Sequence, residues 1–186
     1  TWAWTAALSA CAAARSRGSP LPHRFSLICS FAATAVADAL SYIVPASVAM
    51  ECKWPNDTLV DGRKVAGILL ESSAKNGLAP DWLVVGVGIN VSHHPANAEF
   101  PATSLKGAGC GDLDVAGVLT SFVRHFDRWF GQWSVEGFLP VREAWLRRVR
   151  GIGAPLTVRL ERETITGTFS GIDAQGALIV AAAEGT

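Results

Sequence analysis

The sequence predicts an α+β protein, in which a mixed, largely antiparallel sheet packs against helices and a small group of strands follows at the C-terminus. Asp61-Gly62, between two short β-prone runs, is typical of a tight antiparallel hairpin, because both turn residues need a positive φ. Two long stretches repeat apolar residues every three or four positions, as helices with one buried face do. After Gly151 the pattern changes to short strands separated by turn residues, which predicts a small β unit.

The composition excludes several classes of protein. The chain has 186 residues, of which 49% are hydrophobic and 17% charged, with 16 basic and 16 acidic side chains. It is too apolar for a disordered chain, and a net charge of zero provides no basic surface for binding nucleic acid. Its four cysteines include no C-x-x-C pair, so we expect a reduced, cytoplasmic protein with neither zinc nor haem.

The N-terminal part of the chain has two different textures. Residues 1–24 show no clear period, and without an initiator Met or a basic n-region we expect them to lie inside a longer gene product. From Phe25 an apolar face with helical spacing predicts a buried helix that ends before Pro45. Polar residues interrupt this stretch, so we do not expect it to cross a membrane.

Three strands are predicted next, at Val48–Trp54, Lys64–Ser72 and Trp82–Val91. The third strand alternates between two faces, with Val85, Val87 and Ile89 on one and Gly86, Gly88 and Asn90 on the other. Glycines within a strand mark the close approach of another backbone or of a ligand. Two explanations stay open, a helix that crosses tightly over this face or a ligand that lies against it.

The second long helix is predicted to be capped by Asp112 or Asp114. Its apolar stripe is predicted to be core, and consists of Val115, Leu119, Phe122, Phe126, Trp129 and Trp133. A further helix is predicted at Pro140–Arg150, where Arg147, Arg148 and Arg150 suit the negative end of the helix dipole and form a solvated face. We expect no metal at His93-His94, because adjacent histidines in a loop point apart and no third ligand is near.

The C-terminal strands are predicted at Leu156–Glu161, Thr164–Ser170 and Ala177–Ala182. Their spacing predicts a small antiparallel barrel that stops one or two strands short of closure. We therefore divide the chain into a domain of residues 1–150, within which residues 1–24 fit no clear pattern, and a small barrel of residues 151–186.

The densest cluster of polar side chains is Lys53-Trp54-Pro55-Asn56-Asp57. It is followed across the hairpin by Gly62-Arg63-Lys64-Val65-Ala66-Gly67-Ile68-Leu69, and later by Gly86-Val87-Gly88-Ile89-Asn90. These three ordered runs resemble the central blocks of bacterial biotin protein ligases. The likeness continues through Pro101-Ala102-Thr103-Ser104-Leu105 and the terminal strands, and covers about Phe25 to Thr186.

The resemblance implies both a fold and an activity. Members of this family resemble the catalytic domain of class II aminoacyl-tRNA synthetases and carry a small SH3-like C-terminal barrel. They join biotin to ATP as biotinyl-5′-adenylate and pass biotin to one lysine of a biotin carboxyl carrier domain, as in acetyl-CoA carboxylase or a similar carboxylase. ATP, Mg²⁺ and biotin are therefore the expected ligands, and the resemblance leaves a homodimer open.

The resemblance also assigns residues. Lys64 is the expected catalytic residue and lies near the biotin carboxylate and the α-phosphate, where a cation is needed to hold and neutralise two anions. Lys53, Asn56, Asp57 and Asn90 are expected to bind ATP, with Asp57 also holding Mg²⁺. Gly67, Gly86 and Gly88 are expected to let biotin approach the backbone. Trp-Pro-Asn-Asp is also a good β-turn sequence, and both readings of this run can hold.

Two family features are not recognisable upstream of the central blocks, the glycine- and arginine-rich loop that folds over biotin and a strand that lines the biotin pocket. A DNA-binding helix-turn-helix is not recognisable either, so we do not expect a repressor. Two alternatives to an active biotin ligase therefore stay open. One is a catalytically impaired fragment or a non-catalytic module that binds a nucleotide or a carrier domain. The other is an acyltransferase similar to lipoate ligases.

Overall fold

The structure is a computed structural model that describes residues 21–73, 82–98, 100–159 and 164–181. The helices and strands of these residues are α1 (Leu21–Ser41), β1 (Met50–Lys53), β2 (Asp57–Val60), β3 (Arg63–Ser73), β4 (Trp82–Ile89), α2 (Val115–Glu136), α3 (Leu139–Leu146), β5 (Pro155–Arg159), β6 (Thr164–Ile172) and β7 (Leu178–Ala181). A short helical turn, Lys106–Cys110, follows β4. The interpretation of residues 1–24 falls mostly outside the described residues.

The first four strands form one antiparallel sheet in the order β1-β2-β3-β4. The predicted hairpin is confirmed, since Asp61 and Gly62 have φ values of 47° and 72°. The predicted first strand is shorter than expected, at Met50–Lys53, and β2 is a strand that was not among the three predicted ones. Two isolated parallel bridges, Cys52 with Val149 and Lys64 with Ala102, make the sheet mixed.

Helix α1 lies against one face of this sheet and forms the centre of the molecule. Three successive residues that point to different sides of the helix, Ala35, Val36 and Ala37, are all fully buried, and the helix packs against α2, α3 and the first three strands. The predicted buried helix is thus confirmed. None of the described helices is long and apolar enough to cross a membrane.

The apolar stripe of α2 is core in its C-terminal part. Asp114 caps the helix, accepting hydrogen bonds at 3.1 Å from the backbone N–H groups of both Ala116 and Gly117. The four aromatic residues of the stripe pack on the core, as predicted. The prediction is wrong for Val115 and Leu119, whose side chains are 61% and 59% exposed. At that end of the helix Val118 is buried instead.

The helix predicted at Pro140–Arg150 ends earlier, at Leu146, so this prediction is wrong in its last turn. The chain then runs beside β1, where the Cys52 N–H donates to Arg148 O at 2.9 Å and the Arg150 N–H donates to Cys52 O at 2.8 Å. A predicted solvated face is wrong for Arg148, whose guanidinium contacts the buried Asp38 at 2.6 Å. It is correct for Arg147, which is exposed.

Strands β5, β6 and β7 form a second antiparallel sheet close to the predicted positions. The turn before β7 is held by Asp173, whose Oδ1 accepts hydrogen bonds from the N–H groups of Gln175 and Ala177 at 2.8 Å each. Phe169, Ile172 and Leu178 of this sheet are buried in the same core as α1. The second sheet is therefore packed onto the first unit, and closure of a barrel stays a prediction.

Candidate functional site

A cleft of about 280 Å³ lies between the first sheet and the chain that leads into the second sheet. The first sheet and its neighbouring loop contribute Lys53, Trp54, Asp57, Leu59, Gly62, Lys64, Phe100 and Pro101. The C-terminal side contributes Arg150, Gly151, Ala154, Pro155, Leu156, Phe169 and Leu178. One wall is thus rich in charge and the opposite wall is mostly apolar.

The side chain of Lys64 reaches this cleft because of an irregularity in β3. Thr58 lies opposite Ala66, whereas the next residue, Leu59, lies opposite Lys64. Val65 is the extra residue, and both Val65 and Ala66 are buried in the core. A bulge of this kind re-aims the side chains that flank it. It leaves Lys64 on the face that carries Asp57.

Lys64 and Asp57 form an ion pair in the cleft. The Lys64 Nζ lies 2.5 Å from Asp57 Oδ1, and the two side chains are 22% and 14% exposed. A carboxylate this close and this poorly solvated holds the ammonium in one position. The Lys64 ammonium is therefore held in a fixed position at the cleft, in a pair whose net charge is zero.

The backbone of Lys64 is held from its other side by the segment that follows β4. The Lys64 N–H donates to Pro101 O at 2.8 Å, and the Thr103 N–H donates to Lys64 O at 2.9 Å. These bonds use both backbone polar groups of Lys64, so the residue is fixed in main chain as well as side chain. They also bring Phe100 and Pro101 to the cleft.

Lys53 is the second cation of the charged wall. Its Nζ lies 4.2 Å from the centroid of the Phe100 ring, a cation–π distance. In the sheet Lys53 lies opposite Asp57, and Asp57 in turn lies opposite Gly67. The structure thus brings the predicted residues Lys53, Asp57 and Lys64 together.

Two other predicted ATP-binding residues, Asn56 and Asn90, hold the backbone around the cleft. The buried Asn56 donates from Nδ2 to Ile68 O at 2.8 Å, which fixes the turn between β1 and β2. Asn90 donates from Nδ2 to Thr103 O at 2.9 Å, which fixes the segment after β4. Neither residue lines the cleft, so direct contact of either with ATP stays a prediction.

The predicted biotin-binding glycines lie on the same face of the sheet. Gly67 is opposite Gly88, and Leu69 is opposite Gly86. A Cβ on Gly88 would have Gly67 O at 4.0 Å as its nearest neighbour, and one on Gly86 would meet atoms of Leu69 alone. Within the part of the chain that the structure describes, no helix crosses this face. Gly86 and Gly88 are exposed, whereas Gly67 is buried.

Sequence reasoning missed several cleft residues. Arg150 belongs to a basic run that the pattern placed on a helix, and Phe100 gave no signal of its own. The sequence places Trp54 in a motif but does not indicate its hydrogen-bonded link to the turn before β7. Its Nε1 donates to the Ser26 Oγ at 3.0 Å, and that hydroxyl donates to Gly176 O at 2.5 Å.

The layer beneath the cleft is apolar and unreactive. Burial raises the pKa of the Cys52 thiol to about 12, with Asp38 and Glu51 acting in the same direction and Arg148 opposing them. A thiol with such a pKa stays protonated at neutral pH and is a poor nucleophile. Cys52 is therefore a packing residue.

Among the described residues, no group of three or more His, Cys, Asp or Glu side chains is arranged to hold a metal ion. Asp57 is the one carboxylate among the described residues that line the cleft. Mg²⁺ is usually bound by one or two carboxylates together with substrate phosphates. Asp57 beside a nucleotide would provide such a donor set. The Mg²⁺ site itself stays a prediction.

Comparison with known proteins assigns the family. Residues 23–147 match the Biotin/lipoate A/B protein ligase family, and residues 151–186 match the Biotin protein ligase C terminal domain. The chain belongs to the biotin/lipoate A/B protein ligase family. This confirms the resemblance inferred from the three central runs.

Two curated relatives within this family are bacterial. The chain is 38% identical over 154 residues to a biotin–[acetyl-CoA-carboxylase] ligase of Paracoccus denitrificans, a match that covers 80% of this chain and 64% of that protein. It is 34% identical over 146 residues to the bifunctional ligase/repressor BirA of Bacillus subtilis, covering 75% of this chain and 44% of that protein. The chain thus spans less than two thirds of the length of either relative.

A solved structure of the family has the same fold. The biotin protein ligase of Aquifex aeolicus in complex with biotin and ATP superposes with a TM-score of 0.74 at 25% identity, over 87% of this chain and 67% of that one. The α+β fold class predicted from the sequence is therefore confirmed.

Proposed function

We propose that this chain is the catalytic part of an ATP-dependent biotin protein ligase. It would form biotinyl-5′-AMP and transfer biotin to a lysine of a biotin carboxyl carrier domain, in acetyl-CoA carboxylase or a similar carboxylase. The observation that carries the proposal is the Lys64–Asp57 pair, held beside Lys53 in a cleft of a biotin/lipoate ligase family member. The names of the two bacterial relatives support the same activity.

The first step needs cations where this cleft has them. An oxygen of the biotin carboxylate attacks the α-phosphorus of ATP, a new P–O bond forms, and the bond to pyrophosphate breaks. Charge on the α-phosphate oxygens and on the leaving pyrophosphate grows during this step. The Lys64 ammonium, fixed by Asp57, stabilises that charge without having to reorganise. In the second step a lysine amine of the carrier attacks the acyl carbon and AMP leaves.

The nucleotide is proposed to lie along the charged wall. Lys53 and Lys64 would contact its phosphates, and Asp57 would hold Mg²⁺ together with phosphate oxygens. Asn56 and Asn90 are proposed to act mainly by fixing the turn and the segment that carry these contacts, in line with their hydrogen bonds to Ile68 and Thr103.

Biotin is proposed to lie against the glycine face. Gly86 and Gly88 are exposed and leave space above the sheet, so a flat fused ring can approach the backbone there. Gly67 is opposite Gly88 and next to Asp57 in the sheet, which joins this face to the cleft. A carboxylate that extends from the ring toward Lys64 would then reach the site of adenylation.

The finer features of the proposal follow the family. We propose a catalytic unit of residues 1–150 and a C-terminal unit of residues 151–186, the ranges on either side of the change to short strands. The contact of the C-terminal strands with the cleft supports a role for that unit in holding the nucleotide. We also propose a cytoplasmic location, in line with the free cysteines, and a homodimer, which the family resemblance leaves open.

A second candidate function is a module that binds a nucleotide without turning over biotin. It is favoured by the difference between the two sites, since the cleft is walled on both sides whereas the glycine face is open among the described residues. Such a module would bind ATP in the cleft but hold biotin weakly.

Mass spectrometry of reaction products tests the proposal. The purified chain is incubated with Mg²⁺, ATP and biotin, with a biotin-free control and a parallel reaction containing lipoate. We expect biotinyl-5′-AMP in the complete reaction, and a mass increase of one biotin when a carrier domain is added. Lipoyl-AMP in its place would indicate the lipoate ligase alternative. ATP binding with no adenylate would favour the nucleotide-binding module.

A further inference from the structure

The cleft contains a third cation, Arg150, which neither the sequence motifs nor the family resemblance assigns to a ligand. We propose that Arg150 binds the phosphates of the nucleotide, and that Glu51 holds its guanidinium in place until the nucleotide arrives. The inference rests on the proposed nucleotide site and adds a residue to it.

The backbone of Arg150 is fixed next to the charged wall. Its N–H donates to Cys52 O at 2.8 Å, and the Cys52 N–H donates to Arg148 O at 2.9 Å, which attaches the end of this segment to β1. Cys52 precedes Lys53 in β1, so the attachment brings Arg150 close to that lysine. The buried position of Cys52 gives this anchor a rigid base.

The side chain of Arg150 lies across the hairpin turn that precedes Lys64. A Cβ on Gly62 would be 2.9 Å from Arg150 Nη1, so the glycine allows the guanidinium to lie flat against the turn. Gly62 has a φ of 72° and is part of the cleft lining. Arg150 is thus placed on the same side of the sheet as Lys64, with its backbone and its side chain both held.

The guanidinium keeps donors for a ligand. Among the described residues, the Arg150 guanidinium makes one hydrogen bond, from Nη1 to Glu51 Oε2 at 2.8 Å. A guanidinium carries five N–H donors, and its fork matches two oxygens of one phosphate. The remaining N–H groups can therefore contact a phosphate, either while the bond to Glu51 persists or after it has broken.

Charge balance in the cleft favours an anionic ligand. Among the described residues that line it, Lys53, Lys64 and Arg150 are cations and Asp57 is the one carboxylate. Asp57 neutralises Lys64 in part, and Glu51, which lies just outside the lining, neutralises Arg150 in part, so the five groups together keep one excess positive charge. An excess of this sign raises the local concentration of a polyanion such as a nucleoside triphosphate.

A purely structural role explains Arg150 less well than it explains Arg148. Arg148 pairs with Asp38, a carboxylate that is buried and also accepts a hydrogen bond from Trp129. The Arg150 side chain is 53% exposed, and exposed ion pairs contribute little to stability. Its pair with Glu51 therefore orients the guanidinium more than it stabilises the fold.

Titration calorimetry on the full chain tests the inference with ATP and with adenosine, which lacks phosphates. For Arg150→Ala we expect affinity for ATP to fall about tenfold and affinity for adenosine to stay the same, since hydrogen bonds to charged groups are among the stronger ones. Arg147→Ala is the matched control, because it removes an exposed arginine outside the cleft, and it should change neither affinity. Glu51→Gln should tighten ATP binding, because it releases the guanidinium and removes a negative charge.

Each outcome bears on the inference. Equal losses for ATP and adenosine in Arg150→Ala, or no loss for either, would overturn it. Arg150→Lys guards against misfolding, since it keeps a charge and should lose less ATP affinity than Arg150→Ala. If the wild-type chain binds ATP but forms no adenylate, the ligase proposal fails while the Arg150 contact stands. If the wild-type chain does not bind ATP, both fail.

Discussion

The cleft beside Lys64 and the glycine face of β4 belong to the same sheet but are constructed differently. In the cleft, each charged side chain has a partner that fixes it: Lys64 contacts Asp57, Lys53 lies over Phe100, and Arg150 donates to Glu51. On the glycine face the useful property is the lack of side chains, since a Cβ on Gly88 would have only Gly67 O, at 4.0 Å, for a neighbour. Groups that stabilise charge must be held in place, whereas a surface that receives a flat ring must stay clear.

Because the cleft and the glycine face are constructed differently, we expect that ligand binding at one can be weakened without weakening it at the other. Substitutions in the cleft, apart from those at Lys64, which is proposed to face both ligands, should weaken ATP binding and leave biotin binding unchanged. Substitutions on the glycine face should do the reverse. The following changes are ordered from the largest expected effect to the smallest.

Asp57→Asn should have the largest effect on the affinity for a ligand. It keeps the shape of the side chain but removes the charge that pairs with Lys64 and would hold Mg²⁺ beside the phosphates. We expect the affinity for ATP measured with Mg²⁺ to fall by more than about tenfold. In EDTA the sign should reverse, because the carboxylate that repels the phosphates is gone. Calorimetry under both conditions measures this, and an equal loss in biotin affinity would break the separation of the two regions.

Gly88→Ala tests the glycine face with a single methyl group. The fold should tolerate it, because the nearest atom to the new Cβ is Gly67 O at 4.0 Å. We expect biotin affinity to fall about tenfold, the effect of overpacking a close contact, with ATP affinity unchanged. Gly131→Ala is the matched control, since a Cβ there has no neighbour within 4 Å and lies on α2, away from the glycine face. If both variants bind biotin like the wild type, biotin does not lie on this face.

The smallest effect concerns the layer under the cleft, and appears at high pH. Because burial raises the pKa of Cys52 from 9.0 to about 12, the protonated thiol contributes stability that is fully present below pH 9.0 and is lost as the pH rises toward 12. The free energy of unfolding of the wild type should therefore fall more steeply in this range than that of Cys52→Ala. Urea titrations at several alkaline pH values measure both slopes, and parallel slopes would mean that the thiol is solvated.

Features that depend on a few neighbouring residues could be predicted from the sequence. The Asp61-Gly62 hairpin is an example, since positive φ at both positions is a local requirement. The two faces of β4 and the burial of α1 followed from periods of two and of three to four residues. The cations Lys53 and Lys64 followed from the family resemblance, and the structure brings them to one cleft.

Features that depend on distant parts of the chain could not be predicted. The bulge at Val65 lies in a continuous apolar run, where alternation gives no signal, yet it decides the direction of Lys64. The end of α3 depends on hydrogen bonds to Cys52, almost a hundred residues earlier, so a helical pattern overran it. The cleft wall formed by Phe169 and Leu178 exists because the second sheet packs on the first unit.

Biotin-dependent exchange of labelled pyrophosphate into ATP is the most direct test of the central claim, that Lys64 stabilises adenylate formation in this cleft. The exchange reports the reversible first step alone and needs no carrier domain. We expect exchange in the wild-type chain when biotin is present, and a loss of at least about a hundredfold in Lys64→Met, since electrostatic stabilisation of this kind is a large part of catalysis. Circular dichroism should show the same fold for both proteins. Exchange in Lys64→Met at the wild-type rate would contradict the account.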